Sequence, residues 1–155
     1  MQRQKVAKNK FGKVAAEQKK NALEFNDFEK FVLNAEKLSD GEMPHVNMKY
    51  YTSSFECFSS WSSEDMKSFS SFIDKLRQMK WSDIYKTGGR LGNKTGLGYT
   101  LIDRKKLPDN EMLEKVSEDI TFFELRVDRT KRVHGFRCLD AFYLVYLDRD
   151  HRICQ

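Results

Sequence analysis

At 155 residues, with 39% hydrophobic and 33% charged residues, the chain is long enough for one domain with a genuine core and short for two. No run approaches the roughly eighteen apolar residues that a membrane-spanning helix needs. The net charge of +5 is uneven: residues 1–20 hold seven Lys/Arg against one Glu, so the other 135 residues sum to −1, and a basic total alone does not make the body a nucleic-acid binder.

Residues 1–20 read as a basic, weakly apolar helix or a tail, in which Lys13 is a candidate phosphate contact. No apolar segment of signal-peptide type follows, and Glu17 with the absence of Ser weighs against a mitochondrial presequence. Cys57, Cys138 and Cys154 are odd in number and widely spaced, which fits a reducing cytoplasm better than a disulfide framework. Leu23, Phe28, Phe31, Val32 and Ala35 recur at mostly helical spacing, and Gly41 and Pro44 end that amphipathic helix. These features divide the chain into a helical arm, 1–45, and a body, 46–155. The arm has two readings: its lysines follow RNA phosphates, or it and the 23–38 helix cover an apolar patch or dock a partner.

Residues 46–58 are the first strand candidate, with Val46, Met48 and Tyr50 alternating before Thr52-Ser53-Ser54 loosens the pattern. Ser62 with Asp65 resembles a capping box. Met66, Phe69, Ile73, Leu76 and Met79 or Lys80 then form one stripe, and Trp81, Ile84 and Tyr85 either continue that helix or begin a second. Residues 86–98, KTGGRLGNKTGLG, are a glycine-rich loop without the spacing of a Walker motif; its Arg90 and Lys94 are candidate nucleic-acid contacts. A short strand at 98–102, a Pro108-Asp109-Asn110 turn and a short helix from Glu111 follow.

From Thr121 the period changes to two. Phe123, Leu125 and Val127 oppose Phe122, Glu124 and Arg126; after a DRTK turn, Val133 and Gly135 oppose Arg132, His134 and Phe136. AFYLVYL is apolar on both faces, with Tyr143 and Tyr146 expected on opposite ones, and HRIC is a last strand candidate. Three or four consecutive antiparallel strands after a helical segment make an α+β domain: a small antiparallel sheet with packed N-terminal helices and an extra N-terminal helical arm.

The order strand, helix or helix pair, antiparallel meander resembles the RelE/ParE/YoeB superfamily of small bacterial toxins over residues 46–154. The likeness is clearest in FFELRVDRTKRVHGFRCLDAFYLVYLDRDHRI. It implies metal-free, cofactor-free mRNA cleavage, usually on the ribosome, in the cytoplasm, with a cognate antitoxin protein as partner and no membrane. A gyrase-poisoning branch shares the fold without the ribonuclease site. Residue by residue, Arg126 sits where such enzymes aim an arginine at the scissile phosphate, and His151 resembles the late histidine of YoeB-like members. Arg132 and Arg137 lie near other basic contacts. The chain departs from that pattern in three ways: Arg152 stands where YoeB-like proteins place a tyrosine, forty-five extra residues lie in front, and the glycine-rich loop is an addition.

The residues themselves could serve such chemistry. RNA cleavage without a metal needs a base for the 2′-hydroxyl, donors for the pentavalent phosphate and an acid for the leaving 5′-oxygen. Arg126 and Arg132 have the planar fork that matches phosphate oxygens. His151 has the side chain that titrates near neutrality, and Glu124, two residues from Arg126, shares its face and could be the complementary base. His134, beside Gly135, and Arg137 are further candidate nucleic-acid contacts. Each has a plain alternative: solvent-facing charges, a cross-strand salt bridge for Glu124, and for His151 a bond to Asp148 or Asp150. No HExxH, CxxC or close histidine pair supports a metal. The competing class is a non-catalytic module of the same fold, a gyrase inhibitor or an RNA- or protein-binding protein. Convergence of Arg126, Arg132 and His151 on one sheet face separates it from the enzyme.

Overall fold

A computed structural model describes residues 40–88 and 96–154. Lys13, Arg90, Lys94 and the 23–38 segment lie outside them. The described elements are β1 (His45–Asn47), α1 (Ser63–Leu76), α2 (Trp81–Tyr85), β2 (Thr100–Ile102), α3 (Glu111–Glu114), β3 (Phe122–Arg126), β4 (Arg132–Cys138) and β5 (Ala141–Asp148). The strands form one five-stranded sheet in the order β1-β5-β4-β3-β2. It is antiparallel from β5 through β2, with β1 added parallel to β5 at the edge. This is an α+β fold built on a small, mainly antiparallel sheet with packed helices.

The capping box at Ser62 is formed: its hydroxyl accepts from the Asp65 amide at 3.2 Å, and the Asp65 carboxylate accepts from the Ser62 amide at 2.9 Å. Two orphan donors of the first turn are thereby satisfied, and α1 starts where the chain leaves the extended region. The helical segment is two helices rather than one, because Lys80 is extended (φ −80°, ψ 151°) between them. Phe72 and Leu76 of α1 and Trp81 and Ile84 of α2 bury against Phe123, Leu125, Val133, Phe142, Leu144 and Leu147. Period two puts the odd-numbered residues of β3 and β4 on this face, and their β5 partners complete it.

The opposite face is covered at one end by the chain after β2. Ile102, Leu107, Leu113 and Val116 pack there on Phe122, Phe136, Val145 and Tyr146. Arg104 holds that cover in place by donating to the carbonyls of Leu113, Val116 and Ser117.

Three expectations are corrected. Residues 46–58 are not one strand; only His45–Asn47 pair, and the rest wraps the sheet edge. Thr52 and Ser54 bond each other locally, at 2.9 Å between hydroxyls, in competition with a ladder, while the Thr52 amide donates to Val145 at 3.0 Å. The wrap sends Tyr50 onto Phe136 and Tyr143, and Phe55 onto Tyr146. Residues 151–154 are not a strand either, since the amides of Arg152 and Ile153 donate to the Asp148 carboxylate instead of a neighbouring strand.

Tyr143 and Tyr146 do not take opposite faces. The register shifts at His134/Gly135, so that His134 faces Tyr146 while Gly135 faces Leu144, leaving Val145 as an extra residue. This β-bulge turns both tyrosines to the same face. Gly135 is required there: a Cβ would collide with the Tyr143 carbonyl oxygen.

The body also reaches back to Asp40, within the segment read as arm. The amides of Trp81 and Ser82 donate to Glu42 and Asp40 carbonyls at 3.2 and 3.0 Å.

Candidate functional site

Pairing of β3 with β4 sets Glu124 opposite His134 and Arg126 opposite Arg132; pairing of β4 with β5 sets Arg132 opposite Asp148. Directly opposed residues share a face, so Glu124, Arg126, Arg132, His134 and Asp148 form one polar field. It occupies the end of the face that the 102–116 cover leaves apolar side chains out of. The turn after β5 returns His151 to the same field.

Glu124 is the hub. Its Oε2 lies 3.3 Å from His151 Nε2, and its Oε1 3.7 Å from Arg132 Nε. The Glu124 and Arg132 side chains are nearly buried, at 8% and 11% exposure, whereas His151 is one-third exposed. His151 is therefore the member of this trio that a ligand can reach. Arg132 Nη1 also donates to the carbonyls of Asp128 and Lys131, at 3.1 and 3.0 Å, tying the guanidinium to the β3–β4 turn. Burial pushes the Arg132 guanidinium below its ordinary pKa; the Glu124 charge opposes that shift and the Arg126 charge adds to it.

Arg126 is half-buried at the end of β3. Its amide donates to Leu97 at 2.6 Å, where the glycine-rich loop rejoins the body. Gly98 has φ +59°, and a Cβ there would sit 3.1 Å from the Arg126 guanidinium. The described end of the loop thus confines the Arg126 side chain against backbone.

Behind the trio, His134 and Asp148 are fully buried, with His134 Nε2 3.1 Å from Asp148 Oδ2. Among the described residues His134 Nδ1 has no partner. The neutral Nε2–H tautomer fits this site, because Nδ1 is then an unfilled acceptor rather than an orphaned donor. Asp148 also accepts from the Arg152 amide (2.6 Å) and the Ile153 amide (3.0 Å). Burial pushes its pKa up, but the hydrogen bonds from His134 and those two amides outweigh burial and hold it below the usual carboxylate value. A second buried carboxylate, Glu56, accepts from the Arg149 amide at 2.8 Å. These bonds pin the turn that carries His151, whose own backbone is left-handed at φ 52°.

Of the candidates named from sequence, Arg126, Arg132, Glu124, His134 and His151 are brought together. Arg137 is not. Its odd position in β4 puts it on the helix face, where its guanidinium pairs with Asp40 at 2.6 Å and stacks 4.6 Å from the Trp81 ring centroid. It lies away from the polar field and fastens Asp40 and α2 to the sheet, a placement that period two already implied. His134 has no exposed surface and offers no contact to a nucleic acid. Arg152 stacks 4.4 Å from the Phe55 ring centroid.

The sequence analysis took Asp148 as a partner of His151 and passed over Glu56. The available signal for Asp148 was an acid ending an apolar strand; for Glu56 there was none, since its partner is 93 positions away.

Two cavities, of about 710 and 970 Å³, lie elsewhere: one among Tyr50, Tyr99, Phe136 and Tyr143, the other under residues 103–118. Neither is lined by Glu124, Arg126, Arg132 or His151. Among the described residues no group of three or more His, Cys, Asp or Glu could hold a metal ion, and no helix is long and apolar enough to cross a membrane. No protein-family model matches the chain, and no curated protein or solved structure matches it either.

Proposed function

We propose that this protein is a metal-independent endoribonuclease of the RelE/ParE/YoeB kind, cleaving mRNA at the Glu124–Arg126–His151 field and held in check by a cognate antitoxin. The observation that carries the reading is the 3.3 Å contact between His151 Nε2 and the buried Glu124 carboxylate, with Arg126 on the same face. Glu124 orients the ring by accepting from Nε2–H, leaving Nδ1 as the nitrogen free of that bond. Nδ1 takes the proton of a 2′-hydroxyl, the 2′-oxygen attacks phosphorus, and Arg126 stabilises the charge on the equatorial oxygens. The leaving 5′-oxygen is protonated from solvent, giving a 2′,3′-cyclic phosphate and a 5′-hydroxyl. Arg132 supports this arrangement from behind by holding Glu124 and the turn.

A second reading is favoured by one observation: Glu124 and Arg132 are nearly buried and satisfied by each other and by backbone. In that reading the field is a structural ion cluster in a non-catalytic binding module, such as a gyrase inhibitor or an RNA- or protein-binding protein.

Expression of the full chain distinguishes them. The enzyme slows growth, cleaves transcripts with cyclic-phosphate ends in the presence of EDTA, and fails on RNA carrying 2′-deoxyribose at the cut site. The R126A/H151A double variant abolishes cleavage with an unchanged circular dichroism spectrum. Cleavage at the wild-type rate in that variant removes this site; no cleavage by the wild-type chain, with or without ribosomes, leaves the binding module.

A further inference from the structure

The proposed reaction uses His151 and Glu124 but leaves two fully buried polar side chains without a role. We infer that Asp148, fixed by the buried His134, is the positioning residue that sets the His151 ring against Glu124; the inference rests on the proposed reaction for its cleavage readout alone.

His151 follows β5 by three residues and has the left-handed φ of 52°, a conformation that a non-glycine residue holds only when its surroundings impose it. The imposing contacts lie on both sides of it. Before it, the His151 amide approaches the Asp148 carbonyl at 3.5 Å, and Glu56 takes the Arg149 amide. After it, both oxygens of Asp148 are used: Oδ1 takes the Arg152 amide, and Oδ2 takes the Ile153 amide and faces His134. One carboxylate therefore grips the chain immediately beyond the histidine and closes the turn on itself. His134, opposite Tyr146 in the row beside the bulge, orients that carboxylate from within the sheet. Its ring cannot touch a substrate, and the side chain it holds by hydrogen bond is Asp148.

The connection runs His134, Asp148, the 152–153 amides, His151, Glu124, and every link is a contact of 3.3 Å or less except the peptide backbone itself. Loss of the Asp148 charge weakens the two amide bonds and frees the turn, so the ring departs from Glu124 without loss of any group that contacts RNA. A displacement of this kind lowers kcat rather than raising KM.

The test compares Asp148→Asn, His134→Gln and His134→Phe in the full chain. Amide hydrogen exchange at Arg152 and Ile153 and titration of the His151 ring are followed by NMR without RNA; kcat and KM are measured on a fluorogenic RNA. In D148N and H134F, exchange at both amides accelerates about tenfold or more and the His151 titration midpoint moves, while core amides of β4 and β5 keep their protection. kcat falls by about 10- to 100-fold with KM unchanged. H134Q, which keeps a donor toward Asp148, restores the exchange rates and most of kcat. Wild-type exchange and titration in D148N overturn the inference, as does H134Q behaving like H134F. If D148N fails to fold, the His134 pair alone decides it. Altered exchange and titration in a chain that does not cleave RNA uphold the positioning role and count only against the ribonuclease reading.

Discussion

The two faces of the sheet are made by the same alternation yet organised by different forces. On the helix face, Phe72, Leu76, Trp81 and Ile84 meet Phe123, Leu125, Val133, Phe142, Leu144 and Leu147 in an apolar layer that fits wherever volume fits. On the other face, apolar packing stops midway. The rest is a set of ionisable side chains that must satisfy one another, because several of them have lost contact with water. The helix face depends on filled volume; the polar field depends on partnership. That contrast makes the field a site candidate.

The largest effect tests the helix face. Phe142→Ala removes a fully buried ring between Phe123 and the helices and costs about 4 kcal/mol, read from the urea midpoint. A value near that of a surface substitution would mean the layer re-closes around the gap. On the polar face, Glu124→Ala leaves Arg132 buried beside unfilled space and costs about 3 kcal/mol. The paired replacement Glu124→Leu with Arg132→Met recovers most of that loss, because desolvated charges are removed together. If the double variant is instead as unstable as the single one, the field is held by shape like the other face. Both variants should lose cleavage, so stability and activity separate in the double variant.

Gly98→Ala gives a smaller loss, about 1–2 kcal/mol, since a Cβ is unfavourable at φ +59° and presses on Arg126. Its mark is a fall in RNA cleavage beyond what Gly98→Asn, better tolerated in the left-handed region, produces by strain alone. The smallest signal is a pH dependence. Asp148 has a folded pKa below its ordinary 3.8, so its stabilisation is complete above that value and is lost as pH falls below it through the folded value. As pH falls below about 4, Asp148→Asn should flatten the acid limb of stability by at most one proton, about 1.4 kcal/mol per pH unit. An acid limb identical to wild type would show that the carboxylate is not specially held.

Much of this was legible along the chain. The capping box at Ser62, the stripe of α1 and the alternation of β3 and β4 are local patterns, and local patterns survive into the fold. The same alternation placed Glu124, Arg126, Arg132 and His134 on one face; it also puts Arg137 on the other, against its reading as a nucleic-acid contact. The strand expectations at 46–58 and 151–154 fail because backbone groups there bond to side chains or to residues far away, Val145 for Thr52 and Asp148 for Arg152 and Ile153. Glu56 was invisible for the same reason.

By itself, the sequence determined which residues are apolar at period two, hence an antiparallel meander with one face for helices and an Arg, Glu and His set on the other. Only the tertiary structure decided that Val145 bulges and turns both Tyr143 and Tyr146 to one side. It alone decided that β1 adds parallel at the edge, and that Asp148 bends the chain end so that His151 reaches Glu124, 27 positions earlier. The reason is range: alternation follows from the geometry of neighbouring residues, whereas a bulge, an edge pairing and a left-handed histidine are fixed by hydrogen bonds between segments that meet only after the chain has folded.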